Sequence, residues 1–453
     1  MKEAVIDLGT SSFPLALPDH TDILSMGKAF PLSNPEEKIR DAIAHPIDCL
    51  PLAEIVRKKL EVNPGARAVA VISDNTRPVP YSGKSGILFP VVEELIKAGV
   101  PSSRILILVA TGTHRAMKDE ELRKMLDPRI FTLNLRIISH DSRNPKDLIS
   151  VGRTELGGEI FLNRYYTESE IKVLTGLVES HFMAGVSGGR KSICPGLLAE
   201  DSTYVLHSGP VLASPRATNL VLEGNPCHEE AIRVANMARC DMSVNVTLDS
   251  NFRLSGIFTG DMQTSHLEAY KKLFSYVAIP FQKKYDLVIT HAGFVGVNHY
   301  QAAKAAVATA PLIERGGYCI LAAHHTDPDP VGRENYKQMM HLLGEGGSEK
   351  FIEKILDPSW TFVPEQWEAQ MWTRLFKHIP PENLIYCTHE IPENAFSWLP
   401  ETDARTLAPG AKSLQELVQK SVNWASEKLR LRLGREPQIA FLVDGPYGIP
   451  VEK

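Results

Sequence analysis

The sequence predicts an α/β protein of two domains with largely parallel sheets. Short β-branched runs alternate with longer amphipathic stretches, which is the pattern of β-α-β units. At about 150 residues per domain, the 453 residues suggest two or three domains, each able to bury its own core. With 43% hydrophobic residues and 31 each of Gly and Pro, the composition is typical of neither a disordered nor a fibrous chain.

The first series of alternating elements lies before residue 280. Each predicted strand is a short apolar run of the length expected for a buried strand, and these runs are 68–73, 104–110, 135–139, 171–177 and 242–248. Helical periods lie between them at 88–97 and 118–126. These alternations predict a first α/β domain.

A second series follows. Its predicted strands are 285–290, 318–322, 384–387 and 438–443, with helices at 301–313 and 414–433. The segment 277–284 contains a proline and a pair of lysines before a new strand, which favours a boundary near residue 280. We therefore predict domains over residues 1–280 and 281–453, the first binding a cofactor and carrying the catalytic residues, the second contributing substrate-binding residues.

Charge and cysteine content narrow the class of function. A formal net charge of −5 and a pI near 6.3 give no basic surface for nucleic acid, so small-molecule chemistry is favoured. The six cysteines are scattered without a CxxC pair, as expected for reduced thiols. The N-terminus does not resemble a signal peptide, and no run approaches the roughly 18 apolar residues of a membrane span. We expect a cytoplasmic protein.

Two loops that leave predicted strands carry the first chemical signals, because ligands collect at the carboxyl ends of parallel strands. The strand at 68–73 runs into a proline turn with Asp74 and Arg77, and a guanidinium suits a two-point grip on a carboxylate or phosphate. The alternative is a turn with a surface ion pair. The next strand runs into a polar loop with His114, a candidate proton carrier or a solvated side chain.

The segment 179–192 joins a strand to a glycine loop and a predicted helix start. Gly185 and the Lys191-Ser192 pair have the spacing of a nucleotide-binding P-loop, but Arg190 stands where that loop requires glycine. Phosphate binding is therefore retained as a prediction, and nucleotide hydrolysis is not expected. The alternative is a flexible turn.

Two histidines flank this lysine in sequence. His181 and His207 lie 10 residues before and 16 residues after Lys191, a spacing that is no zinc signature. If the three side chains converge, one imidazole would ligate a metal and the lysine amine would attach covalently to a cofactor.

Together these motifs resemble the nickel-dependent lactate racemase family, over nearly the whole chain. The combination is highly specific, and its parts are Asp74-x-x-Arg77-Pro78, Gly112-Thr113-His114, His181 with Gly188-Gly189-Arg190-Lys191, His207 at the matching spacing, and Tyr300-Gln301-x-x-Lys304. The resemblance implies a two-domain fold with the active site in the interdomain cleft.

The resemblance also implies a cofactor and a reaction. The family uses a nickel-pincer nucleotide (nickel pyridinium-3-thioamide-5-thiocarboxylic acid mononucleotide), which holds nickel through two sulfurs and a ring carbon. It implies that Lys191 forms the thioamide tether and that His207 is the fourth nickel ligand, in keeping with the preference of nickel for such donors. His114 and His181 would act as acid and base while the C2 hydrogen of a 2-hydroxy acid moves as a hydride.

Further roles follow from the same resemblance. The substrate carboxylate would be held by Arg77, Gln301 and Lys304, with Tyr300 beside them. Trp367 matches a family tryptophan near the cleft, although a core aromatic is an equal alternative. The cofactor phosphate and ribose would be bound by Asp74 and by four residues of the glycine loop, Gly188, Gly189, Arg190 and Ser192.

The substrate itself stays open. Lactate racemases tend to have Gly-Tyr-Pro-Leu-Asp shortly before the Tyr-Gln pair, where this chain has Gly293-Phe294-Val295-Gly296-Val297-Asn298-His299. The family includes enzymes for malate and sugar acids, so a larger 2-hydroxy acid is a candidate. Partners would be the substrate and the cofactor maturation enzymes. Two alternatives remain: a regulatory protein that binds a phosphate or nucleotide, and a 2-hydroxy acid oxidoreductase with the same cofactor.

Overall fold

The computed structural model describes residues 1–453 and resolves them into two compact units. The inserted unit contains residues 28–207 and 214–276, and the split unit contains residues 1–27, 208–213 and 277–453. The later boundary lies near the predicted residue 280. The structure departs from the predicted domains at the N-terminus, because residues 1–27 fold with the C-terminal part of the chain.

The split unit begins with three strands: β1 (Lys2–Asp7), β2 (Ser12–Leu17) and β3 (Asp22–Leu24). The next strands belong to the inserted unit: β4 (Ala68–Ser73), β5 (Ile105–Ala110), β6 (Arg136–Ser139), β7 (Leu148–Arg153), β8 (Glu159–Asn163), β9 (Ile171–Leu177), β10 (Ser180–His181), β11 (Gly185–Val186), β12 (Met242–Leu248) and β13 (Leu254–Gly260).

The helices up to residue 277 are α1 (Pro35–Ala44), α2 (Leu52–Val62), α3 (Leu88–Lys97), α4 (Asp119–Met125), α5 (Pro128–Thr132), α6 (Arg164–Thr167), α7 (Glu200–Leu206), α8 (Gly209–Ala213), α9 (Pro226–Ala238) and α10 (Met262–Val277). Short 3₁₀ turns lie at Gly83–Ser85, Ser102–Arg104, Pro145–Asp147 and Gly189–Ser192.

The rest of the split unit has strands β14 (Ala278–Phe281), β15 (Tyr285–His291), β16 (Ile313–Ala322), β17 (Leu384–Cys387), β18 (Thr402–Asp403), β19 (Ile439–Leu442) and β20 (Ile449–Glu452). Its helices are α11 (His299–Thr309), α12 (Glu334–Leu356, bent at Gly347), α13 (Gln366–Phe376), α14 (Ala404–Leu407) and α15 (Leu414–Leu433), with 3₁₀ turns at Ala310–Leu312, Pro381–Asn383 and Glu393–Ser397.

The inserted unit is built on a six-stranded sheet in the order β13-β12-β9-β4-β5-β6. All pairs are parallel except β12 with β13. From β4 the chain moves outward through β5 and β6, and then returns to the other side of β4 at β9. The loops that follow β4 and β9 therefore diverge, which makes this point of the sheet the expected place for a ligand.

The split unit has a second six-stranded sheet in the order β18-β17-β16-β15-β19-β3, parallel throughout. The α/β prediction with largely parallel sheets is thus confirmed. Buried strands explain why the predicted runs are continuously apolar: β15 is buried along its whole length, as is β17.

Each unit has its own core. In the inserted unit, α3 buries Leu88, Val91, Val92 and Leu95 at helical spacing against the sheet. In the split unit, α15 packs its apolar face together with residues of the β1–β2 hairpin, including Leu15 and Leu17. All six cysteines are free thiols. Measured against the length and apolarity that a bilayer requires, none of the helices qualifies as a membrane span.

Candidate active site

The loop after β4 is tied to the loop after β5 by a carboxylate–imidazole contact. Asp74 is 4% exposed, and its Oδ2 lies 2.7 Å from Nδ1 of His114. Its Oδ1 accepts hydrogen bonds from the backbone N–H of Thr76 at 3.1 Å and from the Thr76 hydroxyl at 2.5 Å. Burial raises the pKa of Asp74, but the hydrogen bonds from His114 and Thr76 outweigh it, and the pKa lies below its usual value.

This contact fixes the tautomer of His114. A carboxylate oxygen accepts, so Nδ1 carries the proton and the lone pair of the neutral ring is on Nε2. The His114 side chain is 53% exposed, unlike the buried acid behind it. The arrangement is that of a base oriented by an acid.

The loop after β4 is also tied to the loop after β9. Nη1 of Arg77 lies 2.7 Å from Oε1 of Glu179, and both side chains are about one-third exposed. Glu179 has no predicted role. The sequence signal for Glu179 is its position shortly after the predicted strand 171–177. The basic residue Arg77 lies in the loop after another predicted strand.

His181 contacts the loop lysine. The β10–β11 hairpin places its Nδ1 where the N–H groups of Met183 and Ala184 donate to it, at 3.3 and 3.2 Å. Nδ1 therefore carries no proton, and in the neutral ring the proton is on Nε2. Nε2 lies 2.9 Å from Nζ of Lys191, so the imidazole donates to a neutral amine.

The electrostatics of Lys191 agree with a neutral amine. Burial, together with the positive charges of Arg77 and Arg190, lowers the pKa of Lys191 from 10.5 to about 7. A buried lysine of this kind is a nucleophile near neutral pH, because a large fraction of it has a lone pair.

The glycine loop differs from the predicted helix start, which is wrong. Lys191 lies in a four-residue 3₁₀ turn, Gly189–Ser192, and no α-helix begins there. Gly188 has φ 75° and ψ −178°, and a Cβ there would lie 2.6 Å from a methyl group of Val178. The N–H of Gly189 donates to the Asn245 side chain at 2.9 Å.

Arg190 and Ser192 are also engaged inside the unit. The Arg190 side chain is fully buried and donates to the carbonyl of Ala184 at 2.8 Å. The Ser192 hydroxyl donates to the carbonyl of Thr175 in β9 at 3.1 Å. These contacts hold the loop against the sheet. Direct binding of the cofactor by Gly188, Gly189, Arg190 and Ser192 stays a prediction.

His207 follows α7. Its Nδ1 lies 3.2 Å from the carbonyl oxygen of Thr203, so Nδ1 donates and the lone pair is on Nε2. Burial and the charge of Lys191 lower the pKa of His207 to about 4, which makes it a neutral imidazole at physiological pH. A neutral imidazole with its second nitrogen hydrogen-bonded to a carbonyl is the form that ligates metals.

These residues fit the cofactor that the family resemblance implies. A nucleophilic amine, which a tether requires, is present at Lys191, and an imidazole lone pair is present at His207. No group of three or more His, Cys, Asp or Glu side chains is arranged to hold a metal ion. His207 would supply a single histidine donor to such a cofactor.

The split unit carries the other predicted residues on and beside α11. Asn298 caps this helix by accepting from the N–H of Gln301. The Tyr300 hydroxyl accepts a hydrogen bond from Nε1 of Trp367 at 2.8 Å, and Lys304 donates to the Gln301 side chain at 2.5 Å. Trp367 is only partly buried, which differs from a core aromatic.

Glu368 is a further residue of this cluster that the sequence analysis did not identify. It is 2% exposed, and burial raises its pKa to about 8, although the charge of Lys304 acts in the opposite direction. Burial and the acids Glu368 and Glu365 also raise the pKa of Tyr300 well above its usual value. Burial thus favours the protonated form of Glu368, and the charge of the predicted carboxylate-binding residue Lys304 opposes it.

Comparisons with known proteins bear on these two clusters. The sequence model of the lactate racemase N-terminal domain matches residues 8–219. The lactate racemase of Lactiplantibacillus plantarum is 30% identical over 90% of this chain and 89% of its own length. The lactate racemase of Thermoanaerobacterium thermosaccharolyticum is also 30% identical, over 83% of this chain and 86% of its own.

A solved structure agrees. The lactate racemase apoprotein from Thermoanaerobacterium thermosaccharolyticum superposes with a TM-score of 0.82 at 26% identity, covering 99% of this chain and all of the other. This chain thus matches lactate racemases in both sequence and fold over most of its length and most of theirs. The chain belongs to the lactate racemase family and is an isomerase of the racemase or epimerase type.

Proposed function

We propose that this enzyme interconverts the two configurations at C2 of a 2-hydroxy acid, using a nickel-pincer nucleotide tethered to Lys191. The observation that carries the proposal is the neutral Lys191 amine held by His181, in a chain whose curated relatives are lactate racemases. The substrate is lactate or a larger 2-hydroxy acid such as malate or a sugar acid. Loading requires the cofactor maturation enzymes as partners.

His114 and His181 are the proposed acid–base pair. His114 takes the hydroxyl proton of one configuration at Nε2, the nitrogen whose lone pair the Asp74 contact leaves exposed. At His181, Nε2 donates to Lys191 in the free protein. An acylated Lys191 nitrogen is a poor acceptor, so attachment would release Nε2 to exchange a proton with the hydroxyl of the other configuration.

The remaining roles concern binding. Arg77, Gln301 and Lys304 hold the substrate carboxylate, and Tyr300 and Trp367 support them. Asp74 and the glycine loop, with Gly188, Gly189, Arg190 and Ser192, position the cofactor around the tether. When bound, the nickel-pincer nucleotide would supply an acceptor and donor for the C2 hydride, and His207 would hold its nickel through Nε2.

The test is to produce the chain together with the maturation enzymes and measure intact mass under denaturing conditions, nickel content and conversion of single enantiomers of lactate, malate and sugar acids. We expect an adduct, bound nickel and inversion of at least one substrate. A C2-deuterated substrate should keep its label in both enantiomers. Washout of the label into water would reject hydride transfer, and net formation of the 2-keto acid would favour the oxidoreductase.

Two variants separate tether from ligand. Lys191→Ala should lose the adduct, because it removes the amine that forms the bond. His207→Ala should keep the adduct and lose nickel and activity. An adduct that persists in Lys191→Ala, or that is lost equally in both variants, would contradict these assignments.

A further inference from the structure

The substrate-binding arginine already has a carboxylate partner within the chain. Arg77 Nη1 and Glu179 Oε1 are 2.7 Å apart, with the side chains 32% and 30% exposed. A guanidinium binds one carboxylate in much the same way as another, whether it comes from the protein or from a ligand. Glu179 therefore occupies the group that is proposed to hold the substrate.

This ion pair lies where the sheet directs ligands. β4 and β9 are neighbouring parallel strands, and the chain leaves them in opposite directions. Arg77 follows the first strand and Glu179 follows the second, so their contact bridges the diverging loops. The charge of Arg77 also contributes to lowering the pKa of Lys191, which follows β9 in the same segment as Glu179.

The Glu179 side chain has a single ionic contact, whereas its backbone is held by two hydrogen bonds. Its N–H donates to the Ser187 hydroxyl at 3.0 Å, and its carbonyl accepts from the N–H of Ser187 at 2.9 Å. The carboxylate, in contrast, contacts Arg77 alone among charged groups. Rotation of the side chain breaks the ion pair and leaves the hairpin intact.

Asp74, in the loop that also carries Arg77, shows the contacts of an acid that is held in place. It is buried, and both of its oxygens have partners, Thr76 on one and His114 on the other. Glu179 is about one-third exposed and has one ionic partner. A partly exposed ion pair of this kind is only weakly favoured over the separated side chains. The equilibrium constant for pairing is about two to five.

We propose that Glu179 is an internal competitor for the substrate carboxylate at Arg77, and that it sets the affinity of the enzyme for 2-hydroxy acids. The inference rests on the proposed function, which makes Arg77 a substrate ligand. Glu179 acts through Arg77 and is a positioning residue. When the substrate carboxylate takes its place, Glu179 swings toward solvent, and on product release it returns and promotes departure.

The experiment compares Glu179→Gln, which keeps the shape and removes the charge, with the wild type. The apoprotein is titrated with L- and D-lactate, and the loaded enzyme is assayed for KM and kcat. We expect Glu179→Gln to bind lactate about two- to fivefold more tightly and to lower KM by the same factor, with kcat within about twofold. Glu179→Asp should stay near the wild type.

Controls make the result specific. Glu168→Gln removes an ion pair of similar exposure with Arg164 in the same unit and should leave lactate binding unchanged. When Arg77 is already replaced by Gln, adding Glu179→Gln should no longer make lactate bind more tightly. If Glu179 had only a structural role, Glu179→Gln would weaken lactate binding or lower kcat, and it would not lower KM.

Unchanged, weaker or undetectable lactate binding in Glu179→Gln overturns the inference. The binding arm uses apoprotein and needs neither cofactor nor turnover, so its failure is distinct from failure of the proposed function. Tighter binding without racemisation by the loaded enzyme would reject the function and retain the competitor. Racemisation by the loaded enzyme, with no change in Kd or KM in Glu179→Gln, would support the proposed function and reject the competitor role of Glu179.

Discussion

Hydrogen-bond partners fix the proton positions of three histidines in the inserted unit. His114 and His207 donate from Nδ1 to an oxygen, whereas His181 accepts at Nδ1 from two backbone N–H groups. Two of these rings thus have a lone pair on Nε2, and the third has a proton there. The same residue type is prepared for different tasks by its neighbours.

Asp74→Asn tests the orientation of His114. The amide can present its NH₂ to Nδ1 and thereby favour the wrong tautomer, so kcat of the loaded enzyme should fall on the order of 100-fold or more. Thr76→Val is the control, because it removes one hydrogen bond to Asp74 and keeps the carboxylate. We expect a much smaller loss of kcat in Thr76→Val. Equal losses of kcat in the two variants would mean that Asp74 serves the structure of the loop rather than the orientation of His114.

Lys191 gives a pH dependence of stability. Its pKa is about 7 in the folded apoprotein and near its ordinary 10.5 in the unfolded chain. Between these values the unfolded chain binds the extra proton, so the free energy of unfolding contributed by this group rises with pH. Below about pH 7 both states are protonated and the contribution is flat.

Lys191→Met removes this group while keeping a long side chain. The variant should be more stable than the wild-type apoprotein at pH 7, and its advantage should shrink at pH 9. Urea unfolding at the two pH values measures the difference. An advantage that is the same at both values would mean that Lys191 titrates normally in the folded protein.

Candidate site residues can be predicted from the sequence more readily than the contacts between them. Asp74, Arg77 and His114 were recognisable because they follow predicted strands, and they do lie at strand ends. The role of Glu179 depends on β9 being the neighbour of β4, and strand order is a long-range property that local patterns do not encode. The buried acid Glu368 looked like any helical glutamate, because burial depends on tertiary packing.

At the level of elements, regular periodicity was the reliable signal. Strands β4, β9 and β12 and helices α3 and α15 have the predicted bounds, since each has a clear apolar pattern. The predicted helix 301–313 instead ends at Thr309, because Pro311 interrupts it, and β16 begins at Ile313. The two-residue strands β10 and β11 are too short to have a period.

The glycine loop yields a prediction at this scale. Gly188→Ala places a side chain on a backbone conformation that essentially only glycine adopts, and against Val178. Gly157→Ala is the matched control, because it too has positive φ, 94°, but meets nothing within 4 Å. We expect losses of about 1 kcal/mol for Gly157→Ala and about 2–4 kcal/mol for Gly188→Ala in chemical unfolding.

Similar losses for the two glycine variants would show that backbone strain alone matters at Gly188. A larger loss for Gly188→Ala would assign the difference to the close approach of the loop to the sheet. Since this loop carries Lys191, covalent cofactor retention measured on the same variants would link loop geometry to the tether.

For the whole molecule, the distant N-terminal segment is part of a core. Leu15 and Leu17 are at most 1% exposed and belong to the same hydrophobic core cluster as Leu417 and Val422 of α15. Leu17→Ala should cost about 2–5 kcal/mol by leaving a cavity, whereas Val5→Ala, 55% exposed, should cost little. In Leu17→Ala, hydrogen exchange should show loss of protection in the split unit alone. Equal loss in both units would mean that they unfold as one.

The edge strand β3 has a consequence for how the chain is made. Asp22 pairs with Ala440, so the parallel sheet of the split unit lacks the pairing of β3 with β19 until residue 440 has been synthesised. The inserted unit is complete by residue 276. On the ribosome this unit can fold first, with its loop lysine already in place, before the β19 strand that pairs with β3 has been synthesised.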